Sequence, residues 1–460
     1  MAQEHKFLPM MIALFGMAFA ASFSESLMSV PLASIMSDFQ IESATAQWLI
    51  TGYMIVGANM MAIAAFLLRR LGRRRLFIAS ALIFFAAGLA AMFAPNFALL
   101  LLFRLIQAMG TGASIACMTS TIFAAAPVEK QCSFMAIGGA IITVGPAVGP
   151  VLTGVMVSFF GWRSVFFLTC VISLIFGGIG VFTVYDTDER GQAPLDVLSL
   201  FLSVAGLSAT MNGLVQILIN PVAFVVSFAV GMVLLGLFVW RQSKLSQPLL
   251  CVSVLKVRPF TACCLLDMAI MMATFSFSVT LPLFLQGSLM LGAAVSGVLC
   301  MVPVFADIAA TFPAGKIMDK RGEWPLFPLS FALQTVGLVM MALGGVNMSL
   351  VTVITGCVVL AVGAGMCFMP VQTSGLRSLP EAVNADGVAL LNVFVQIAGC
   401  IGSSLFVGLY QARATDTLLA GLSQSASQAQ GYALAMTVMA GIALLATVLA
   451  FVYGRRQRRG

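Results

Sequence analysis

The sequence predicts an all-α integral membrane protein of fourteen helices: two six-helix bundles with a helix pair inserted between them. Three observations predict it. Hydrophobic residues make up 61% of the chain and charged residues only 8%, whereas a soluble domain carries about 25% charged residues. Apolar stretches of about 20 residues recur, the length at which a helix satisfies its own backbone hydrogen bonds across a bilayer. The polar connections between them alternate in charge.

The spans fall near 9–35, 47–68, 76–94, 97–124, 133–158, 163–185, 195–218, 221–240, 260–285, 291–315, 325–345, 349–370, 385–411 and 431–453. The first is too long for a signal peptide and lacks a convincing cleavage site, so it is expected to remain as a span. Basic residues follow every second connection. Lys6, the run Arg69-Arg70-Leu71-Gly72-Arg73-Arg74-Arg75, Lys130, Arg190, Arg241, Lys244, Lys256, Arg258, Lys316, Lys320, Arg321, Arg377, Arg455, Arg456, Arg458 and Arg459 lie on one side. The other side has Arg163 and Arg413, and Arg104 falls inside a span. The positive-inside rule then places both termini in the cytoplasm, which requires an even number of spans. This distribution explains the net charge of +7 by topology and argues against a nucleic-acid partner.

Two polar linkers, Tyr185–Leu195 and Arg241–Arg258, bracket spans seven and eight. Setting that pair aside leaves six spans before and six after, the arithmetic of a two-halved transporter. The expected divisions are 1–190, 191–258 and 259–460.

Two carboxylates lie deep in apolar spans, Glu25 and Asp307. An acid at the bilayer centre costs about 2.5–3.5 kcal/mol on insertion scales, so such residues usually serve an ion pathway or a bound cation. Asp267 lies seven residues into the ninth span; it reads equally as a second cation-binding acid or as an interfacial snorkelling residue. Asn59, Asn212, Gln216, Asn392 and Gln396 are candidates for a cavity lining, with interhelical hydrogen bonding as the commoner role of such side chains. The 10 cysteines form no C-x-x-C pattern and the one histidine is His5, so the thiols read as packing residues and no metal site is expected. Neither a P-loop nor H-E-x-x-H occurs, and there is no large soluble domain. ATP-driven transport and zinc-dependent hydrolysis therefore lack their chemistry, and neither an enzyme nor a cofactor is expected.

Several motifs carry a resemblance. Ser24-Glu25-Ser26-Leu27-Met28-Ser29-Val30-Pro31-Leu32 resembles N-E-T-x-L-N-V-A-L, with Glu25 on the acid. Arg104-Leu105-Ile106-Gln107-Ala108-Met109-Gly110 resembles R-x-x-Q-G-x-G, with Ala108 in place of one glycine. Gly145-Pro146-Ala147-Val148-Gly149-Pro150 resembles G-P-x-x-G-P-x-x-G-G, in which Thr153 replaces the first of the final glycines. Gly315-Lys316-Ile317-Met318-Asp319-Lys320-Arg321-Gly322 resembles the second-half copy of G-x-x-x-D-x-x-G-R-[RK]. The first-half copy departs from it: Ala65 replaces the first glycine and Arg69 the aspartate. On these motifs the chain resembles the fourteen-helix drug:proton antiporter branch of the major facilitator superfamily, and within it the lincomycin-type multidrug exporters. Pro194-Leu195-Asp196, and Pro248-Leu249-Leu250 with Arg258-Pro259-Phe260, match the borders of the extra helix pair in that branch.

The resemblance implies a major facilitator fold in a bacterial cytoplasmic membrane. It implies proton-coupled export of apolar or cationic drugs by alternating access, hence drug resistance. Glu25 and Arg104 would serve proton coupling. Gly145, Pro146, Gly149 and Pro150 would serve the antiporter motif, and Gly315, Asp319 and Arg321 the gating loop. Arg69 removes the acidic member of the charge contact that the first loop makes between bundles in the family. Depth alone adds Asp307 to the coupling acids. Glu25, Asp307, Asn392 and Gln396 are the substrate-binding candidates. The expected partners are a small molecule, protons and the lipid bilayer, with the chain a monomer. Two other readings stay open: an exporter of one metabolite, peptide or lipid, and a non-transporting sensor or scaffold on a transporter fold.

Overall fold

The computed structural model describes all residues except 1–3, 30, 42, 47, 128–129, 186–195, 217–219, 246–249, 325 and 458–460. Fourteen long helices account for most of them: α1 (Glu4–Ser26), α2 (Trp48–Leu71), α3 (Arg73–Met92), α4 (Phe97–Ala125), α5 (Gln131–Phe160), α6 (Ser164–Thr183), α7 (Val197–Val215), α8 (Pro221–Gln242), α9 (Arg258–Gly287), α10 (Ala293–Arg321), α11 (Leu326–Val346), α12 (Leu350–Arg377), α13 (Asn384–Leu419) and α14 (Gln424–Gln457). Among the described residues, thirteen are long and apolar enough to cross a membrane. The remaining one, α5, is an unbroken helix of 30 residues.

Local chemistry sets the helix ends. Asn96 accepts the amide of Leu99 at 2.9 Å and opens α4. Asn220 accepts the amide of Ala223 at 3.1 Å and is followed by Pro221 at the first helical position, where the missing N–H costs nothing. Gly72 and Gly322, the equivalent glycines of the two loop motifs, have φ of 78° and 73°. That region penalises any residue with a Cβ, so each glycine makes the tight turn at the base of its helix. The first span differs from its expected course over 9–35. Helix α1 ends at Ser26, a 3-10 turn covers Leu27–Ser29, and a short helix restarts at Leu32–Phe39. Pro31 explains the break: it has no N–H to donate and disfavours helical backbone in the residue before it.

Helices α1–α6 pack among themselves, as do α9–α14, giving two six-helix bundles. The bundles meet along α2 against α13, and along α5 against α10 and α12. The inserted hairpin α7–α8 packs on itself and lays α7 across the seam, touching both α2 and α13. Its base is tied by Asp196, which caps α7 through Ser199 and accepts Arg241 Nε and Nη2 at 2.9 and 3.0 Å. The hydrogen bond from Arg241 is the main reason the Asp196 carboxyl sits well below the usual carboxylate range. Pro194, Leu195, Pro248, Leu249 and the acidic residues Asp186, Asp188 and Glu189 lie outside the described residues.

The outer faces remain apolar. Phe159, Phe182, Val222 and Leu445 are more than 70% exposed, which suits contact with lipid tails. All ten cysteines are free, and eight are buried, as packing residues would be.

Candidate functional site

Glu25 occupies the last turn of α1. Carbonyl groups there have no partner further along the helix. Arg104, from α4, supplies one. Its Nη2 donates to the Ser24 carbonyl, and Nη1 donates to Ser24 Oγ at 2.6 Å and to Gln107 Oε1 at 2.8 Å. The guanidinium lies over the Tyr53 ring of α2, 3.8 Å from its centroid. Tyr53 in turn shares a hydrogen bond with Thr111, and Gln107 Nε2 donates to Thr169 of α6 at 3.5 Å. Arg104 is wholly buried, so the planar fork is used where an ammonium would leave acceptors unmatched.

Glu25 Oε1 is buried and has no hydrogen-bond partner. Arg104 is near enough to act on it electrostatically, yet its Nη1 and Nη2 donate to Ser24 and Gln107 and its Nε has no partner. The carboxyl group therefore has a compensating charge nearby and a free acceptor, the pair of properties that a site exchanging protons or cations needs. Glu25 also lies within electrostatic reach of Cys400 on α13, so it faces the seam between bundles. Asn392, Gln396 and Cys400 follow one another at helical spacing along α13. Gln396 points at Gly57 of α2, where an added Cβ would lie 4.0 Å from Nε2. Asn392 Nδ2 is buried without a partner. The structure thus holds Glu25 beside Arg104 within the first bundle, in electrostatic reach of α13, and sets Gln396 of α13 against α2.

Asp307 lies apart from them. It is half-buried on α10 and packs against Gly365 of α12, where an added Cβ would lie 2.7 Å from Oδ1 and closer still to the Asp307 carbonyl. Its carboxylate is directed at α12 within the second bundle.

Gly145, which opens the G-P-x-x-G-P segment, permits a close approach. A Cβ at Gly145 would lie 2.7 Å from the Phe23 amide nitrogen and 3.0 Å from Ser22, so α5 crosses α1 backbone-to-backbone beside Glu25. Gly149 is buried, and the side chains of Pro146 and Pro150 lie outside the described residues. Gly315 plays a similar part for α10: its Cβ would meet Ala136 at 2.9 Å and the Cys132 carbonyl at 3.2 Å, both on α5. The side chains of Asp319 and Arg321 are not among those described.

Arg69, the departure in the first loop motif, reaches the partner bundle. Its Nη1 donates to both carboxylate oxygens of Asp386 at 2.8 Å, with Asp386 only 3% exposed. A charge contact between bundles is therefore present there with its polarity reversed: the base comes from α2 and the acid from α13. Sequence reasoning missed Asp386. The signal that pointed to it was the substitution of Arg69 itself, since a reversed charge at a contact calls for a reversed partner. Sequence reasoning also missed the Tyr53 platform beneath Arg104.

A hollow of about 280 Å³ is lined by Val346, Arg413, Gln430, Ala433, Leu434 and Thr437. It contains none of the residues above and contributes nothing to their chemistry.

A model of the Major Facilitator Superfamily matches residues 14–403. The lincomycin resistance protein LmrB of Listeria innocua is 32% identical over 415 residues, covering 87% of this chain and 86% of the relative. The riboflavin transporter RibZ of Clostridioides difficile is 24% identical, covering 88% of this chain and 89% of its own. Among solved structures, the proton:xylose symporter XylE superposes with a TM-score of 0.69 at 13% identity, over 98% of this chain and 96% of that one, a likeness of fold. The stacked buried helices and the extent of these matches agree: the chain is an integral membrane transporter rather than an enzyme, and it belongs to the Major Facilitator Superfamily.

Proposed function

We propose that the protein is a proton-coupled exporter of apolar or cationic drugs working by alternating access. The observation that carries this reading is Glu25, a seam-facing acid with an orphaned buried oxygen beside a buried guanidinium. A proton and a substrate cation compete for such a group, because each satisfies the same free oxygen. The likeness to lincomycin resistance proteins supports the substrate class. Segments 1–190 and 259–460 would rock as two units, with 191–258 as an accessory hairpin and both termini in the cytoplasm. The functional unit is a monomer.

In this reading Arg104 shapes the Glu25 site and Asn392 and Gln396 contact substrate. Gly145, Pro146, Gly149 and Pro150 keep α5 against α1, while Gly315, Asp319 and Arg321 close the cytoplasmic side. Asp307 favours cations from the second bundle. Each positive charge carried inward across ~100 mV yields ~2.3 kcal/mol, enough for roughly a 50-fold gradient of a neutral drug.

RibZ's relatedness favours one rival, export of a single metabolite. The deciding experiment is efflux from everted vesicles with and without a proton gradient, over structurally diverse drugs and riboflavin. The proposal expects several drugs to move only with the gradient, and Glu25→Gln to stop them while the protein remains folded. Gradient-driven movement of riboflavin alone would favour the rival. Full export by Glu25→Gln would remove Glu25 from the coupling role.

A further inference from the structure

Asp267 is wholly buried on α9. Its Oδ2 accepts Gln372 Nε2 of α12 at 3.0 Å, and its Oδ1 has no partner. Among the described residues no basic side chain pairs with it. Its ionisable neighbours are thiols: Cys263 and Cys264 on α9, and Cys367 on α12. Gln334 of α11 donates to Cys367 at 3.3 Å, and Asp307 of α10 acts electrostatically on the same thiol. On α13, Asp386 is engaged by Arg69. Leu266, Ile270, Phe331 and Val371 form the apolar cluster around this stretch of α9 and α12.

A buried carboxylate with one amide donor and no cation is costly as an anion. A metal cation would need several oxygen ligands, and among the described residues no group of three or more acids, thiols or histidines gathers to hold one. A proton needs only the orphaned oxygen.

A string of donors and acceptors starts one helical turn away, at Cys263, which shares no hydrogen bond with Asp267 in this structure. Cys263 lies one helical turn before Asp267 and donates to Ser374 Oγ at 3.9 Å. Gly375 permits this approach, since a Cβ there would lie 2.9 Å from Cys263 Cβ. Ser374 Oγ donates to Glu323 Oε1 and lies 2.8 Å from Tyr453 Oη of α14. Glu323 stands between α10 and α11, on the side that carries Arg69, Lys320 and Arg377. Burial pushes its carboxyl above the ordinary 4.5, opposed by Ser374 and by the charge of Arg377.

We propose that Asp267 is a second proton-binding site, separate from Glu25, and that Cys263, Ser374 and Glu323 form its route to the cytoplasmic surface; this rests on the proton-coupled reading. In each transfer an O–H bond breaks at Asp267 and one forms at Glu323. Once Asp267 turns its orphaned oxygen to the Cys263 thiol, the thiol and hydroxyl between them each accept one proton and pass on another. Glu323 then yields its proton to water, and no group is left oxidised or reduced. The charge left on Asp267 makes the transfer unfavourable until a shift of α9 against α12 admits a new partner or a fresh proton, which ties proton release to bundle movement.

The test uses the full chain reconstituted in liposomes. Infrared spectra are recorded across pH, and in parallel an internal pH dye follows proton movement during export of ethidium, an apolar cation. The proposal expects a protonated-carboxyl stretch that persists in Glu25→Gln and vanishes when Asp267→Asn, which keeps the shape and the Gln372 contact, is added to it. Ser374→Ala should keep the stretch while slowing its loss after an alkaline jump by about tenfold or more, as removal of a proton-transfer group does. A stretch that is the same in Glu25→Gln and in the Glu25→Gln, Asp267→Asn double variant, or a parental rate in Ser374→Ala, overturns the proposal. Should Asp267→Asn not fold, Asp267→Glu carries the test: the stretch must move in frequency, and an unmoved one overturns the assignment. Ethidium export that ignores the gradient in the parent protein overturns the proton-coupled reading instead, while the infrared result still decides Asp267.

Discussion

The two bundles bury their acids in different company. In the first, Glu25 sits beside Arg104, whose charge compensates it across the end of α1. In the second, Asp267 has one hydrogen bond from Gln372 and, among the described residues, no pairing cation. A deprotonated Glu25 faces a guanidinium; a deprotonated Asp267 is a bare charge in an apolar cluster. The first arrangement suits a group that alternates between a proton and a cationic substrate. The second suits a group that carries a proton and nothing else. The same chemistry on two bundles is thus divided by whether a fixed cation stands nearby.

The largest expected effect tests that division directly. Arg104→Ala leaves the Ser24 carbonyl and Glu25 uncompensated and should cost about 3–5 kcal/mol, as loss of one partner of a buried charge does. Gln372→Ala removes a single hydrogen bond and should cost about 1–3 kcal/mol. Unfolding of the two variants in the same lipid measures both. Equal losses would mean that the acids are not compensated differently.

The bundle contacts differ in a matching way. On one side of the seam α2 holds α13 by the Arg69–Asp386 pair; on the other, α10 nests Gly315 against α5. Asp386→Ala should therefore lower stability by about 2–4 kcal/mol, somewhat less than a fully buried pair because Arg69 is 32% exposed. Arg69→Asp combined with Asp386→Arg should recover most of the loss and most of the transport. A double variant no better than either single one would show that the charges do not act as a pair.

Close packing in the first bundle gives a smaller effect. Gly145→Ala forces a methyl to within 2.7 Å of the Phe23 backbone, while a Cβ at Gly154 on the same helix meets nothing within 4 Å. Overpacking of this kind costs about 1–3 kcal/mol. Export rates should fall for Gly145→Ala and hold for Gly154→Ala; parity between the two would detach the antiporter motif from Glu25.

The smallest effect belongs to neither bundle. The Asp196 carboxyl is held below its ordinary 3.8, chiefly by the Arg241 hydrogen bond. Its contribution is complete above that ordinary value and is lost as pH falls through the lower folded-state value. Asp196→Asn keeps the cap, because an asparagine oxygen accepts the Ser199 amide as well as an aspartate oxygen does, and should weaken only the pairing with Arg241 at neutral pH. It should also blunt the acid sensitivity of amide exchange in the first turn of α7. Unchanged acid sensitivity would place the titrating group elsewhere.

Much of this was legible along the chain. Hydropathy located all fourteen helices, because a span must bury its own backbone and so announces itself over about 20 consecutive residues. Gly72 and Gly322 were legible as members of the two loop motifs, and the structure makes each a tight turn. Glu25 and Arg104 stood out because charged residues are rare inside apolar spans, and Gly145 because of the motif it shares with the family. The first span was read too long, since hydropathy runs on through Pro31 while helical hydrogen bonding does not.

What the residues determined by themselves was which groups are costly in a membrane and therefore must be satisfied. The tertiary structure alone decided by whom. Arg104 meets Ser24 across 80 positions, Gln372 meets Asp267 across 105, and Arg69 meets Asp386 across 317. Burial cost depends on residue type and depth, which a single helix displays. Compensation depends on which helix faces which, and that is settled only when the bundles pack.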